Sequence, residues 1–181
     1  MSLTDHCDAM MGTDLAWSPL PEWLTVSRPY YSAPYVLAVR PNTYSSLAGV
    51  PPGGRIGSPL FSTGDQQLVT TLATMSAARR WNRVPYADVP SMLADVRSGK
   101  IDGGLFAAAL AGPAKSGQLD GLTLVPSAPV RVEPMRLGAL FLSKNIFTRD
   151  AVDQAIDALQ RDRIIDRIVA EQGLPARQRS E

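Results

Sequence analysis

The sequence predicts an α/β protein in which a mostly parallel sheet is covered by helices. Short apolar, strand-like segments alternate along most of the chain with segments whose apolar residues recur at helical spacing. The 181 residues are 45% hydrophobic, which is enough for a buried core. The single cysteine, Cys7, rules out an intrachain disulfide, so packing has to hold the fold together.

The N-terminal segment predicts a strand followed by a polar turn. Residues 7–11 are mainly apolar and predict a buried strand, on which Cys7 is a small buried side chain. This strand is predicted to end at Gly12-Thr13-Asp14, and small ligands commonly bind where the strands of an open α/β sheet end. Tyr30 and Tyr31 then precede a second apolar strand that leads out of this part of the chain.

The middle of the chain predicts strands alternating with helices. Leu68, Leu72 and Met75 follow helical spacing, and Ser62 and Thr63 are residue types that begin helices. In order, the predicted elements are a strand at 55–58, a helix at 65–80, a strand at 83–84, a helix at 87–98 ended by Gly99, and strands at 101–107 and 122–125.

Two features of the 101–107 strand are predicted to be structural. Asp102, at its start, is expected to bond a neighbouring backbone N–H or an arginine. Gly103-Gly104 leave room for a helix or a ligand to approach the strand closely, and close packing is the favoured explanation.

The C-terminal part predicts a long apolar strand at 135–142 and a helical segment at 148–171. The apolar stripe of this segment changes phase near Arg161-Asp162-Arg163, which predicts two helices rather than one. The mixed charges at 161–167 predict a solvated helix face.

Composition excludes several function classes. The net charge of +1 is scattered, which gives no electrostatic case for binding nucleic acid or an anionic membrane. One cysteine and one histidine, His6, cannot make a zinc site of the usual kind, and no cofactor is predicted. No run approaches the roughly 20 apolar residues of a membrane helix. Residues 1–6 have neither the basic region nor the apolar core of a signal peptide.

Four segments carry a family resemblance by their order and spacing. They are DAMMGT with SRPYYSAPYVLAVRP, GGRIGSPLFSTGDQ, MLADVRSGKIDGGLFAA, and LGALFLSKN with AVDQAIDALQRDRIIDRIVAEQGLP. Together they resemble the type 2 periplasmic solute-binding proteins (extracellular solute-binding family 3). Within that family, PYYSAPYVLAVR and LAGPAKSG are most similar to the branch associated with quinoprotein (methanol-type) dehydrogenases.

The resemblance implies a two-lobed, periplasmic-binding-protein-like α/β fold. A full family member begins with strand, helix, strand and helix ahead of the DAMMGT strand, and this sequence lacks them, which makes the chain look truncated. The second lobe is therefore expected to be complete at 41–129, and the first to be partial, formed by 1–40 and 130–181 with the closing helices. The hinge segments are expected at 39–42 and 128–133. A partial lobe leaves apolar surface exposed, so self-association, strand exchange or repacking of the closing helices is predicted.

The resemblance also bears on the ligand. In amino-acid receptors of this family, an arginine on the loop after the strand that matches DAMMGT pairs with the ligand carboxylate. An aspartate shortly after the motif that matches GKID pairs with the ligand amine. The matching positions here lie near Leu20 and Ala107. Because two buried charges would be left unpaired, the ligand is predicted not to be an ordinary α-amino acid.

Polar and aromatic residues remain as candidate ligand-binding residues. They are Thr13, Asp14, Trp17, Tyr30, Tyr31, Ser62, Thr63 and Gly64. Simpler roles compete for most of them. Ser62 and Thr63 are suited to capping a helix, Tyr30 and Tyr31 to packing near the hinge, and Trp17 to a surface loop or an interface.

The resulting prediction is a non-catalytic, periplasmic solute-binding protein of an ABC-transporter-like system, with a small-molecule ligand and an ABC permease as partners. One alternative is an accessory or docking protein for a periplasmic quinoprotein dehydrogenase. A second alternative is a dehydratase-like enzyme on the same fold, although the sequence shows no evident pair of a general acid or base and a carboxylate-binding arginine.

Overall fold

The structure is a computed structural model that describes residues 7–16, 19–112 and 116–175. The elements, in chain order, are β1 (Ala9–Asp14), β2 (Leu24–Val26), β3 (Tyr31–Ala33), β4 (Tyr35–Val39), β5 (Arg55–Pro59), α1 (Thr63–Thr74), β6 (Asn82–Tyr86), α2 (Val89–Arg97), β7 (Gly103–Ala107), β8 (Thr123–Pro126), β9 (Met135–Leu142), α3 (Ile146–Arg161) and α4 (Ile164–Glu171). The chain is thus α/β, as predicted.

The residues form two compact units. The first consists of Met1–Ala33 with Pro134–Glu181, and the second of Pro34–Glu133. The chain passes from one unit to the other at positions 33–34 and 133–134. The sequence predicts these lobe boundaries after residues 40 and 129. The first crossing comes early because β4 is a central strand of the second unit's sheet, so Val39 is fully buried there.

The first unit is organised around β9. This strand pairs antiparallel with β1 on one side and with β2 and then β3 on the other. Helix α3 lies against the sheet, where the Arg149 guanidinium donates to the Thr25 hydroxyl at 3.3 Å. Arg163, with φ of +55°, separates α3 from α4, which confirms the predicted break.

The prediction for β1 is wrong in two respects. The strand does not end before Gly12-Thr13-Asp14 but continues through them, with a bulge between Met11 and Thr13 where Gly12 has φ of +80°. It is also not buried. Met10 is 44% exposed and Met11 59%, because β1 is an edge strand, and Cys7 just before it is half-buried.

The sheet of the second unit has the order β6-β5-β7-β4-β8. Strand β5 is parallel to β6 and β7, because α1 and α2 provide the crossovers between these three strands. Strand β4 is antiparallel to both β7 and β8. The prediction of a mostly parallel sheet is therefore wrong. Antiparallel strands need no helix to connect them, so the alternation of strands and helices in the sequence did not reveal this half of the sheet.

Helix α2 packs closely against this sheet. A Cβ on Gly104 would lie 2.9 Å from Met92 Cε of α2. A Cβ on Gly103 would lie 3.0 Å from Leu37 Cδ1 of the neighbouring strand β4. Close packing is therefore what these glycines permit, as predicted.

Asp102 is structural as well, because its carboxylate accepts the Arg55 backbone N–H at 2.7 Å and the Tyr44 hydroxyl at 3.3 Å.

Most predicted elements of the second unit are present with shifted ends. Helix α1 stops at Thr74 rather than at residue 80, and Ala77–Arg79 form a separate 3₁₀ turn. Trp81 follows as a buried anchor whose indole N–H donates to the Val50 carbonyl at 3.0 Å.

Candidate functional site

The candidate site of the second unit lies where β5 ends and α1 begins. Strand β5 leads into a tight turn in which the Ser62 N–H donates to the Pro59 carbonyl at 3.2 Å. Leu60 is tied to β6, because its N–H donates to the Tyr86 carbonyl at 2.8 Å. Phe61 has φ of +64° and is 82% exposed, so it stands out from the turn immediately before the helix.

Ser62, Thr63 and Gly64 form the start of α1. Ser62 is the N-cap, and its hydroxyl accepts the Asp65 backbone N–H at 3.1 Å. Thr63 and Gly64 are the first two helical residues, whose N–H groups have no intrahelical acceptor. Gly64 is buried, and a Cβ there would lie 2.6 Å from Tyr35 Cε1. Of the two capping residues suggested by the sequence, Ser62 therefore makes the cap.

Asp65 anchors this turn from within. It is only 4% exposed, and its carboxylate accepts hydrogen bonds from the Ser58 hydroxyl at 2.5 Å and from the Phe61 N–H at 3.3 Å. Arg83 of β6 binds the same carboxylate through Nε at 2.6 Å and Nη2 at 2.7 Å. Both oxygens of Asp65 are thus held by donors from three neighbouring segments.

These contacts determine the charge state of the pair. Burial by itself raises the pKa of Asp65, but the hydrogen bonds from Arg83 and Ser58, the charge of Arg83 and the Phe61 N–H outweigh it, so the pKa is lowered. The hydrogen bonds to Asp65 raise the pKa of Arg83. Both groups are therefore charged near neutral pH, and the two charges are directed at each other.

The chemistry that the described start of α1 offers is hydrogen-bond donation by backbone N–H groups. The first turn of α1 presents backbone N–H groups and the partial positive charge of a helix N-terminus, which favours anions. Ala107, the matching position for the amine-binding aspartate, is fully buried at the end of β7 and carries no charge. Arg83 is occupied by Asp65.

The candidate residues of the first unit lie at one level of its sheet. Asp14 and Tyr31 flank Leu137 of β9 on opposite sides, and the Tyr30 N–H donates to the Leu137 carbonyl at 2.9 Å. Thr13 is the neighbour of Gly138. The structure therefore brings Thr13, Asp14, Tyr30 and Tyr31 to the same end of β9.

Local contacts already use the polar groups of three of these residues. The Thr13 hydroxyl donates to the Met10 carbonyl at 3.3 Å, and Asp14 Oδ1 accepts the Ala16 N–H at 3.1 Å. The hydroxyl of Tyr31 donates to the Pro175 carbonyl at 3.0 Å, and burial raises its pKa. These contacts give Thr13, Asp14 and Tyr31 structural roles.

Trp17 lies outside the described residues. Leu20, the matching position for the carboxylate-binding arginine, is half-buried and uncharged.

Phe61, Asp65 and Arg83 form one cluster that was not predicted from the sequence. A local signal existed for Asp65, since an acidic residue three positions after Ser62 is typical of the first turn of a helix. No local signal existed for the pairing with Arg83, which lies 18 residues further along the chain.

The described residues lack the features of two other site types. No helix among them is long and apolar enough to cross a membrane. They also contain no cluster of three or more histidine, cysteine or acidic side chains suited to hold a metal ion.

Comparison with known proteins rests on structure. No family model matches the sequence, and no curated protein matches it. Among solved structures, substrate-binding domain 2 of GlnP from Lactococcus lactis, in an open conformation, superposes with a TM-score of 0.72 at 14% identity, covering 92% of this chain and 69% of that one. An amino-acid ABC transporter substrate-binding protein from Streptococcus pneumoniae, bound to L-arginine, gives 0.67 at 15% identity, covering 96% and 71%.

A third neighbour is an ancestral amino-acid-binding protein described as a precursor of cyclohexadienyl dehydratase. It gives a TM-score of 0.59 at 14% identity, covering 83% of this chain and 62% of that one. The structural neighbours are thus mainly substrate-binding proteins of amino-acid ABC transporters. At these identities the likeness establishes the fold, and the chain has the mixed α/β fold of type 2 periplasmic binding proteins.

Proposed function

We propose that this chain is a non-catalytic solute-binding protein of an ABC-transporter-like system that acts outside the cytoplasm, in the periplasm. The fold it shares with substrate-binding proteins supports this proposal. Its partners would be a small-molecule ligand, an ABC permease and a second copy of the chain. The division into two lobes, with Tyr30 and Tyr31 shortly before the chain passes from the first unit to the second, belongs to the same proposal.

The ligand is proposed to be something other than an ordinary α-amino acid. The observation that carries this is the two-point pairing of Arg83 with Asp65, together with uncharged side chains at Leu20 and Ala107. An α-amino acid brings both a carboxylate and an ammonium group, and burying either without a partner costs several kcal/mol.

The ligand-binding residues in the second unit would be Ser62, Thr63 and Gly64. The backbone donors of the first α1 turn suit a carboxylate or another small anion, and exposed Phe61 next to them suits contact with an apolar part of the ligand. In the first unit, Thr13, Asp14, Trp17, Tyr30 and Tyr31 stay proposed ligand-binding residues.

A thermal-shift panel tests this proposal. Ligand at a hundred times its dissociation constant adds about 2.7 kcal/mol of stability, which corresponds to about 5–10 °C in Tm for a chain of this size. We expect no shift with glutamine or arginine and a shift with a small organic anion that lacks an ammonium group. A shift of several degrees with an α-amino acid would overturn the ligand proposal.

The alternative is an accessory protein that docks on a periplasmic quinoprotein (methanol-type) dehydrogenase. Exposed aromatic residues on the first unit favour it, since Trp23 is 55% and Phe147 87% exposed, and such residues are enriched at protein interfaces. Titrating the chain into a purified methanol-type dehydrogenase, followed by sedimentation velocity, tests it. A complex weakened by Trp23→Ala and Phe147→Ala would support docking, and two independent sedimenting species would exclude it.

A dehydratase-like enzyme is the second alternative, and the description of one structural neighbour as a dehydratase precursor favours it. The Asp65–Arg83 pair speaks against this function, because a general base acting near neutral pH needs a pKa close to the working pH, whereas the pKa of Asp65 is lowered. Turnover of prephenate or arogenate by the purified chain would establish the enzyme.

A further inference from the structure

The chain passes from one unit to the other twice, and a proline lies at each crossing. The first crossing is the Ala33–Pro34 step, and the second is the Glu133–Pro134 step. A proline ring fixes its own φ at about −65° and confines the preceding residue to extended backbone. At both crossings, the residues on either side of the peptide bond are therefore restricted in their backbone rotation.

The first crossing has no linker of its own. Strand β3 ends at Ala33 and β4 begins at Tyr35, so Pro34 is the one residue between the two strands. Ala33 is fully buried and pairs with Met135 in the sheet of the first unit. The Pro34 carbonyl accepts the Ala108 N–H at 2.9 Å within the second unit. Both sides of this crossing are thus anchored, and only the torsions between Ala33 and Pro34 can change its direction.

The second crossing leads into the central strand of the first unit. Strand β9 starts at Met135, directly after Pro134, and Met135 is the register partner of Ala33. Both crossings therefore leave the first unit at the same level of its sheet. On the other side, the preceding loop is tied by the Val130 N–H, which donates to the Ser127 carbonyl at 3.0 Å, and Val130 is buried.

We propose that Pro34 and Pro134 together act as a stiff hinge that restricts the movement of the two units relative to each other. At each crossing the φ of the proline is fixed by its ring, and the ψ of Ala33 or Glu133 is confined to extended values, so little rotation is left for bending. For the proposed solute-binding function, on which this consequence rests, a chain with few accessible arrangements loses less conformational freedom when a solute binds. The stiffness itself is a property of the backbone and does not depend on the solute.

Pulsed electron paramagnetic resonance between two spin labels on the full chain tests the hinge. The labels are attached in a Cys7→Ser background at Val69→Cys on α1 and Ile168→Cys on α4, which are exposed positions (46% and 50%) in different units. We expect a narrow distribution of label distances in the parent chain. The double variant Pro34→Ala/Pro134→Ala should widen it at least about twofold, since alanine frees the restricted torsions at both crossings.

The matched control is Pro90→Ala, because Pro90 lies in the first turn of α2, away from both crossings. It should keep the parent's width. Pro34→Ala and Pro134→Ala alone should each give an intermediate width, and these single variants decide the outcome if the double variant does not fold. A parent distribution as broad as that of the proline variants, variants as narrow as the parent, or equal broadening by Pro90→Ala would overturn the proposed hinge. Because the measurement uses no ligand, its result is separate from a failure of the proposed solute binding.

Discussion

Asp65 and Arg83 form a two-point ion pair that joins the first turn of α1 to strand β6, with N–O distances of 2.6 and 2.7 Å. The Asp65 side chain is 6% exposed and the Arg83 side chain 27%. Two neighbouring donors, the Ser58 hydroxyl and the Phe61 N–H, complete the shell around the carboxylate. The pair thus fixes the turn that carries Phe61 and Ser62, and it engages the Arg83 guanidinium at two points.

Removing the cation should destabilise the second unit. Arg83→Met leaves the buried Asp65 carboxylate without its charged partner, and we expect the free energy of unfolding to fall by about 3 kcal/mol. Urea denaturation monitored by circular dichroism measures it. The matched control is Arg28→Met, which breaks an exposed pair with Asp157 (64% and 41% exposed) and should cost less than about 1 kcal/mol. Equal losses in the two variants would contradict the structural role of Arg83.

The same pair should make stability depend on acidic pH. Because the pKa of Asp65 is lowered in the folded state, the unfolded state binds a proton more readily as the pH falls. The stabilisation is fully present above the unfolded pKa of about 4, and it is lost as the pH falls through the folded pKa. Urea denaturation at a series of pH values should show a shallower acid loss for Asp65→Asn than for the parent chain. An acid loss in Asp65→Asn as steep as that of the parent chain would contradict this role of the pair.

The Tyr86 hydroxyl should lose its proton at a higher pH than an ordinary tyrosine does. Its hydroxyl donates to Asp95 at 2.7 Å, and burial, followed by this hydrogen bond and the charge of Asp95, raises the pKa of Tyr86 to about 12. The protonated form is therefore favoured in the folded state, so this stabilisation is present below pH 10 and is lost as the pH rises toward 12. An absorbance titration of tyrosinate should lose its latest component in Tyr86→Phe. An unchanged curve would show that another tyrosine is responsible.

The Ser62 cap should contribute measurably to α1. Ser62→Ala removes the acceptor of the Asp65 N–H, and we expect a loss of about 1 kcal/mol, or about 2–4 °C in Tm. Ser62→Asp should restore most of it, because aspartate caps as well as serine does. Thr63→Ala is the control, since Thr63 is the first helical residue and no capping bond of its side chain is present in the described structure. Differential scanning calorimetry of the four proteins separates these outcomes.

Patterns between residues close in the chain identified the elements. The spacing of Leu68 and Leu72 predicted α1, the residue types at its start predicted the cap at Ser62, and the phase shift at 161–163 predicted the break between α3 and α4. Fold resemblance was likewise visible in the order of four segments. The helices, the cap and the break depend on local geometry, which the sequence of a single segment specifies.

What only the tertiary structure decided involves neighbours distant in the chain. The mainly apolar composition of residues 7–11 suits a central strand as well as an edge strand, so it did not predict the exposure of Met10 and Met11. The antiparallel pairing of β4 followed from the strands placed beside it. Asp65 and Arg83 are each ordinary in their own segments, and only the parallel packing of β5 against β6 brings the two charges together, because a pairing energy exists only once both elements are in place.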